Sequence, residues 1–165
     1  MNLTHIFQMQ KELDEKIAAK SKKANPDLTE NDFLVQKTLA LVIEAGEFIN
    51  EVQSFKYWKL NKNIDSDALT EEFADLLHFL VNFAYLYELS PIIEPVIASE
   101  DINIQFQQLI IATAELMKEI NKDNIKKIFE LALGSFVMLG YDYDDLYQAY
   151  LRKNTKNHLR IKNNY

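Results

Sequence analysis

The chain has 165 residues, 48% of them hydrophobic and 26% charged, with three Gly, three Pro and no cysteine. That length suits one domain with a real core and is too short for two, and the composition excludes a disordered chain. A formal net charge of −7 argues against nonspecific binding of nucleic acid, and without cysteine any metal must sit on carboxylates, imidazoles or carbonyls.

Few turn-forming residues and apolar positions at helical spacing predict an all-α helical bundle, a single domain over residues 1–165. The opening stretch "MNLTHIFQMQKELDEK" has no basic start followed by an apolar signal segment, and no run of about 18 uncharged apolar residues spans a bilayer. A cytoplasmic protein with no membrane partner is expected.

The first helix is predicted over 3–22, with Leu3, Ile6, Phe7, Leu13 and Ile17 on one face, and Pro26 interrupts the chain after it. A second runs from about Asp32 to Tyr57, and a third, strongly apolar, over "ALTEEFADLLHFLVNFAYLYEL". Two prolines make "SPIIEPVIASED" a loop. Two further helices follow, about Ile102 to Asn121 and about Asp123 to Leu139, with Asp123 as the cap of the latter. The last begins near Asp142 and fades into a basic tail over about 152–165.

Two segments carry the chemistry. At about 100° per residue, Glu44, Glu47 and Glu51 fall within a wedge of about 60°, a narrow polar seam in an otherwise apolar helix. On the third helix Glu72, Asp75, His78 and Asn82 share one sector while apolar residues cover the rest. Packed together, these helices bring Glu44, Glu47, Glu72 and Asp75 close, where like charges cannot all stay ionised uncompensated, so that either protons or divalent cations must neutralise the group. Oxygen-only ligands favour Mg²⁺, with Mn²⁺ as a substitute. A Glu pair three apart is common on solvated helices, but Glu44-x-x-Glu47 and Glu72-x-x-Asp75, with 24 residues between them, lie in segments too apolar for ordinary surface helices.

Further residues suit a nucleotide. Gln10 falls on the inward side of the first helix, where its amide needs a partner, either backbone or a ligand edge. Trp58, flanked by Lys56 and Lys59, offers an aromatic face with nearby cations, or else seals the core at a helix end. Phe79, inside the polar sector between Glu72 and Asn82, is a second stacking candidate, and His78 is expected to be a polar pocket residue rather than a Mg²⁺ ligand.

These segments resemble the dimeric dUTPases, within the all-α nucleoside triphosphate pyrophosphatases: "QMQKELD", "EAGEFINEVQSFKYWK", "EEFADLLHF" and "KNTKNHLRIKNNY" occur in the family's order and bracket the chain. The resemblance implies a helical homodimer that uses Mg²⁺ to split dUTP into dUMP and pyrophosphate by attack of a metal-activated water. It carries the metal ligands to Glu44, Glu47, Glu72 and Asp75, with Glu44 favoured over Glu47 as base, and turns Gln10 toward the uracil edge. The tail pattern K-N-x-x-N-x-x-R-Q-x-x-G-Y implies substrate contacts from Lys153, Asn154, Asn157, Arg160 and Tyr165, although Ile161 stands where Gln is usual and Asn164 where Gly is usual. Competing readings are a related enzyme acting on dCTP or noncanonical nucleotides, a di-iron bundle built on Asp75-x-x-His78, and a noncatalytic helical module whose acidic seam binds a basic partner.

Overall fold

The computed structural model describes residues 1–163. Among the described residues there are six helices: α1 (Thr4–Ala24), α2 (Glu30–Val52), α3 (Ser66–Leu86), α4 (Ile102–Lys118), α5 (Lys122–Met138) and α6 (Tyr143–Lys162). Among the described residues the strand-like content is one isolated antiparallel bridge, Asn2 with Ile92, and no helix is long and apolar enough to cross a membrane.

Helix α3 is central because its sequence is apolar nearly all round: Leu69, Phe73, Leu76, Leu77, Leu80, Val81, Phe83 and Ala84 are all buried. It packs against α1, α2, α5 and α6, while α4 joins α2 to α5. Aromatic rings knit these layers together. Phe73 stacks on Phe136 of α5 with centroids 4.1 Å apart, and Phe48 of α2 meets Phe73 at 5.0 Å and Phe106 of α4 at 5.7 Å.

The helix starts follow local chemistry. Thr29 and Asp32 form a reciprocal capping box on α2, Asp142 and Asp145 form another on α6, and the Asp65 carboxylate accepts from the amides of Asp67 and Ala68 at the head of α3. Asp123 does not cap α5. Asn121 does, accepting from the Asn124 amide at 2.8 Å, and Asp123 lies in the first turn, where its charge suits the helix dipole.

Two boundaries differ from the sequence expectation. Helix α2 stops at Val52 rather than Tyr57, because Gln53 takes a left-handed conformation (φ 59°) and the aromatic run beyond it has no core to face, Tyr57 being 89% exposed. The tail does not fade: α6 stays helical to Lys162, since Leu146, Ala149, Tyr150, Lys153 and Asn154 give it a buried face against α3 and α1.

The proline-containing segment 90–101 is a loop, as its composition predicts, and it is tied at both ends. The Leu3 amide donates to the Pro91 carbonyl at 2.8 Å. Buried Gln105 donates to the carbonyls of Val96 (2.9 Å) and Leu131 (3.0 Å) and accepts from the Ala98 amide (2.8 Å). Glycine is required at 134, where a Cβ would lie 1.9 Å from the Val96 oxygen.

Candidate active site

Helices α2 and α3 pack so that Glu44, Glu72 and Asp75 can each offer a carboxylate oxygen, all within 4.8 Å of one another. Ala45 and Phe48 bury the neighbouring face of α2 in the core, which holds Glu44 at the helix interface, half-buried. Burial pushes the Glu44 carboxyl up to about 7, helped by the charges of Asp75, Glu47 and Glu72 and opposed by Lys153. Glu72 is raised by burial and then by Asp75 and Glu47, and Asp75 is raised by burial against the pull of Lys153. Glu47 lies outside this trio as an exposed side chain, acting on Glu44 and Glu72 through its charge. Glu51, the third acid of the seam, pairs at 3.4 Å with Asn50 instead.

One positive charge already compensates the cluster. Lys153 of α6 is buried with its ammonium bonded to Asp75 and, at 2.8 Å, to Glu71 Oε1. Burial works against this ammonium, but the hydrogen bonds to Asp75 and Glu71 outweigh it and hold its pKa above the ordinary lysine value. Lys156 adds a second ammonium on Glu71 at 2.6 Å, and the hydrogen bonds from Lys153 and Lys156 hold the Glu71 carboxyl down at about 2.

The seam continues inward as a chain of polar side chains from four helices. Gln10 is buried with both ends of its carboxamide engaged: Oε1 accepts from the Tyr150 hydroxyl and from His78 Nδ1, and Nε2 donates to Asp14 at 2.8 Å. Asp14 also accepts from Asn82 (2.6 Å) and Tyr85 (2.7 Å), while Lys37 donates to the Asn82 oxygen at 2.9 Å. Burial drives the His78 pKa down to about 3, so the ring is neutral, donates from Nδ1 and presents Nε2 to the Asn157 amide at 3.5 Å. With both nitrogens so placed, His78 stands apart from the carboxylate trio.

The tail residues share this face. Lys153, Asn157 and Arg160 recur at helical spacing along α6, and Arg160 Nη1 donates to Asn157 Oδ1 at 3.3 Å. The Arg160 charge also reaches Asp75, where it favours the carboxylate. Asn154 is buried beside the Tyr150 hydroxyl. Phe79 is half-buried against the core. Trp58 does not seal the core: it is 61% exposed in the α2–α3 connection, edge-on to Tyr57 at 5.2 Å, and Lys59 beside it bonds Gln53 Oε1 at 2.8 Å. Tyr165 lies outside the described residues.

A family model described as dUTPase matches residues 2–165. The chain belongs to the dimeric all-α dUTPase family. No curated protein matches it. Membership makes this dUTPase a dUTP diphosphatase, a hydrolase on an all-α fold.

Several residues around this candidate site carry no clear signal in the sequence of this dUTPase. Glu71 was hidden by Glu72, although the spacing Asp67, Glu71, Asp75, His78 marks one face of α3 and was the signal available. Asp14, Tyr85, Tyr150 and Lys37 carry no motif of catalysis, and only their contacts reveal them.

The donor set suits a hard divalent cation: three carboxylates, no sulfur, and one acid whose proton is lost near neutrality. The sign of the pH effect follows. Between an unfolded value of 4.5 and a folded value of about 7, the metal-free protein holds a proton on Glu44 that the unfolded chain releases, so stability declines as pH rises through that window. A cation must displace that proton, so Mn²⁺ affinity is expected to climb up to about tenfold per pH unit below 7 and to level off above it. Calorimetric titration at about pH 6 and about pH 8 checks this, and equal affinities would exclude Glu44 as a ligand.

Proposed function

We propose that this chain is a Mg²⁺-dependent dUTP diphosphatase that hydrolyses dUTP to dUMP and pyrophosphate, and that it acts as a cytoplasmic homodimer. The observation that carries the reading is the convergence of Glu44, Glu72 and Asp75 within 4.8 Å beside a buried lysine, in a chain of the dUTPase family. Glu44, Glu72 and Asp75 would hold Mg²⁺, with Glu47 closing the set from the solvent side. When bound, the cation supplies charge stabilisation at the phosphates and lowers the pKa of water.

The residues of the chain do the rest. Glu44, at the edge of the trio, accepts the proton of the attacking water. Water adds across the phosphoanhydride bond between the α- and β-phosphoryl groups, and dUMP and pyrophosphate leave. Lys153, Asn154, Asn157 and Arg160 line the phosphate side, with Arg160 suited to a forked contact. Trp58, Lys59 and Phe79 border the nucleotide.

Base recognition falls to Gln10, Asn82 and His78. Asp14 uses one of the two N–H groups of Gln10, and Tyr150 and His78 occupy its oxygen, leaving one donor. Lys37 uses one lone pair of the Asn82 oxygen, leaving one acceptor. One donor for a carbonyl and one acceptor for an imide N–H complement the uracil edge. Pyrophosphate release from dUTP, dCTP, dTTP and UTP with Mg²⁺ tests the assignment. A preference for dUTP of at least about a hundredfold is expected, and near-equal rates would remove the substrate assignment.

Support for a dimer comes from α2. Val35, Leu39 and Ile43 are 58%, 55% and 52% exposed and lie within about 80° of one another on the side away from the core. An aliphatic stripe of this kind on a free surface marks an interface, and it runs directly into Glu47 one turn further on.

A further inference from the structure

In the metal reading proposed above, Asp75 faces two claimants. Its carboxylate is bonded to the Lys153 ammonium, yet it belongs to the trio that would hold a divalent cation. An ammonium and a divalent ion on one carboxylate repel each other, so binding of the cation requires the lysine to move or to lean on another acid. Lys153 is 7% exposed, and a buried ammonium does not give up one carboxylate unless a second receives it.

We propose that Glu71 is a positioning residue that takes Lys153 over from Asp75, so that the cation and the lysine do not compete for one carboxylate. This inference rests on the metal site of the proposed function and extends it to an acid outside the trio. Three observations carry it. Glu71 sits one helical turn before Asp75 on α3 and already holds the same ammonium at 2.8 Å. It is not among the three clustered acids, and the same Oε1 also accepts from Lys156 at 2.6 Å, which keeps it charged and in place. A cavity of about 340 Å³, with Asp67, Glu71, Lys153 and Lys156 in its wall, opens beside it and gives the ammonium room to turn from Asp75 without leaving Glu71.

The test is a double-mutant cycle on Mn²⁺ affinity, read by electron paramagnetic resonance of the free ion in the absence of nucleotide. Glu71→Gln keeps shape and removes charge. It is expected to weaken Mn²⁺ binding about tenfold, because Lys153 then falls back on Asp75, and Lys153→Gln in the same chain is expected to restore the loss. Glu71→Asp, a second variant that keeps the charge, is expected to retain most of the affinity. Unchanged affinity in Glu71→Gln would overturn the proposal. So would an equal loss with and without Lys153, which would mean that Glu71 acts by its charge alone. Failure of the unaltered chain to bind Mn²⁺ would instead overturn the metal site, and this inference with it.

Discussion

Replacing Glu72 with glutamine is expected to lower dUTP turnover on the order of a thousandfold while raising the melting temperature of the metal-free protein. The loss of rate follows from the cation. A divalent ion contributes several kcal/mol of charge stabilisation to phosphoryl chemistry, and each factor of ten in rate corresponds to about 1.4 kcal/mol, so an incompletely held ion forfeits about three decades. The gain in stability follows from electrostatics. The Glu72 carboxyl is raised by burial and by the charges of Asp75 and Glu47, so its ionised form opposes folding at neutral pH, and a glutamine of the same shape removes that repulsion. The pair of effects separates a ligand from a structural acid. Turnover within about tenfold of the unaltered enzyme would exclude Glu72 from the reaction, and a lowered melting temperature would make it a structural residue. Turnover and a thermal melt without added metal, on the same preparation at about pH 7.5, read both.

The second large effect concerns assembly. Leu39 lies at the middle of the exposed stripe formed with Val35 and Ile43, and Leu39→Asp places a carboxylate there. In a twofold interface every residue occurs twice, so a central substitution costing about 2 kcal/mol per copy raises the dimer dissociation constant about a thousandfold. Light scattering over a range of concentrations is expected to give a dimer for the unaltered chain and a monomer for the variant. Because Glu47 continues the same face of α2, turnover is expected to fall with dissociation. A monomeric unaltered chain, or a variant that remains dimeric, would remove α2 as the interface.

Periodicity alone located all six helices, because an apolar face recurring every third or fourth residue is a local property of the chain. The same argument singled out the narrow acidic sectors of α2 and α3, and hence Glu44, Glu72 and Asp75, because carboxylates confined to the edge of a buried helix have few places to go. Local reasoning failed where a single backbone rotation or a choice between neighbouring caps decided the outcome: Gln53 ends α2 early, and Asn121 rather than Asp123 begins α5.

Tertiary structure decided the rest. The tail, polar enough in sequence to pass for a frayed end, is a helix because α3 and α1 offer it a surface to bury against. Lys153 meets Glu71 across 82 positions of chain, and Gln10 meets His78 across 68 and Tyr150 across 140. No pattern within one helix encodes such pairings. They exist because packing four helices around one seam leaves each buried polar group no partner except those the other helices bring.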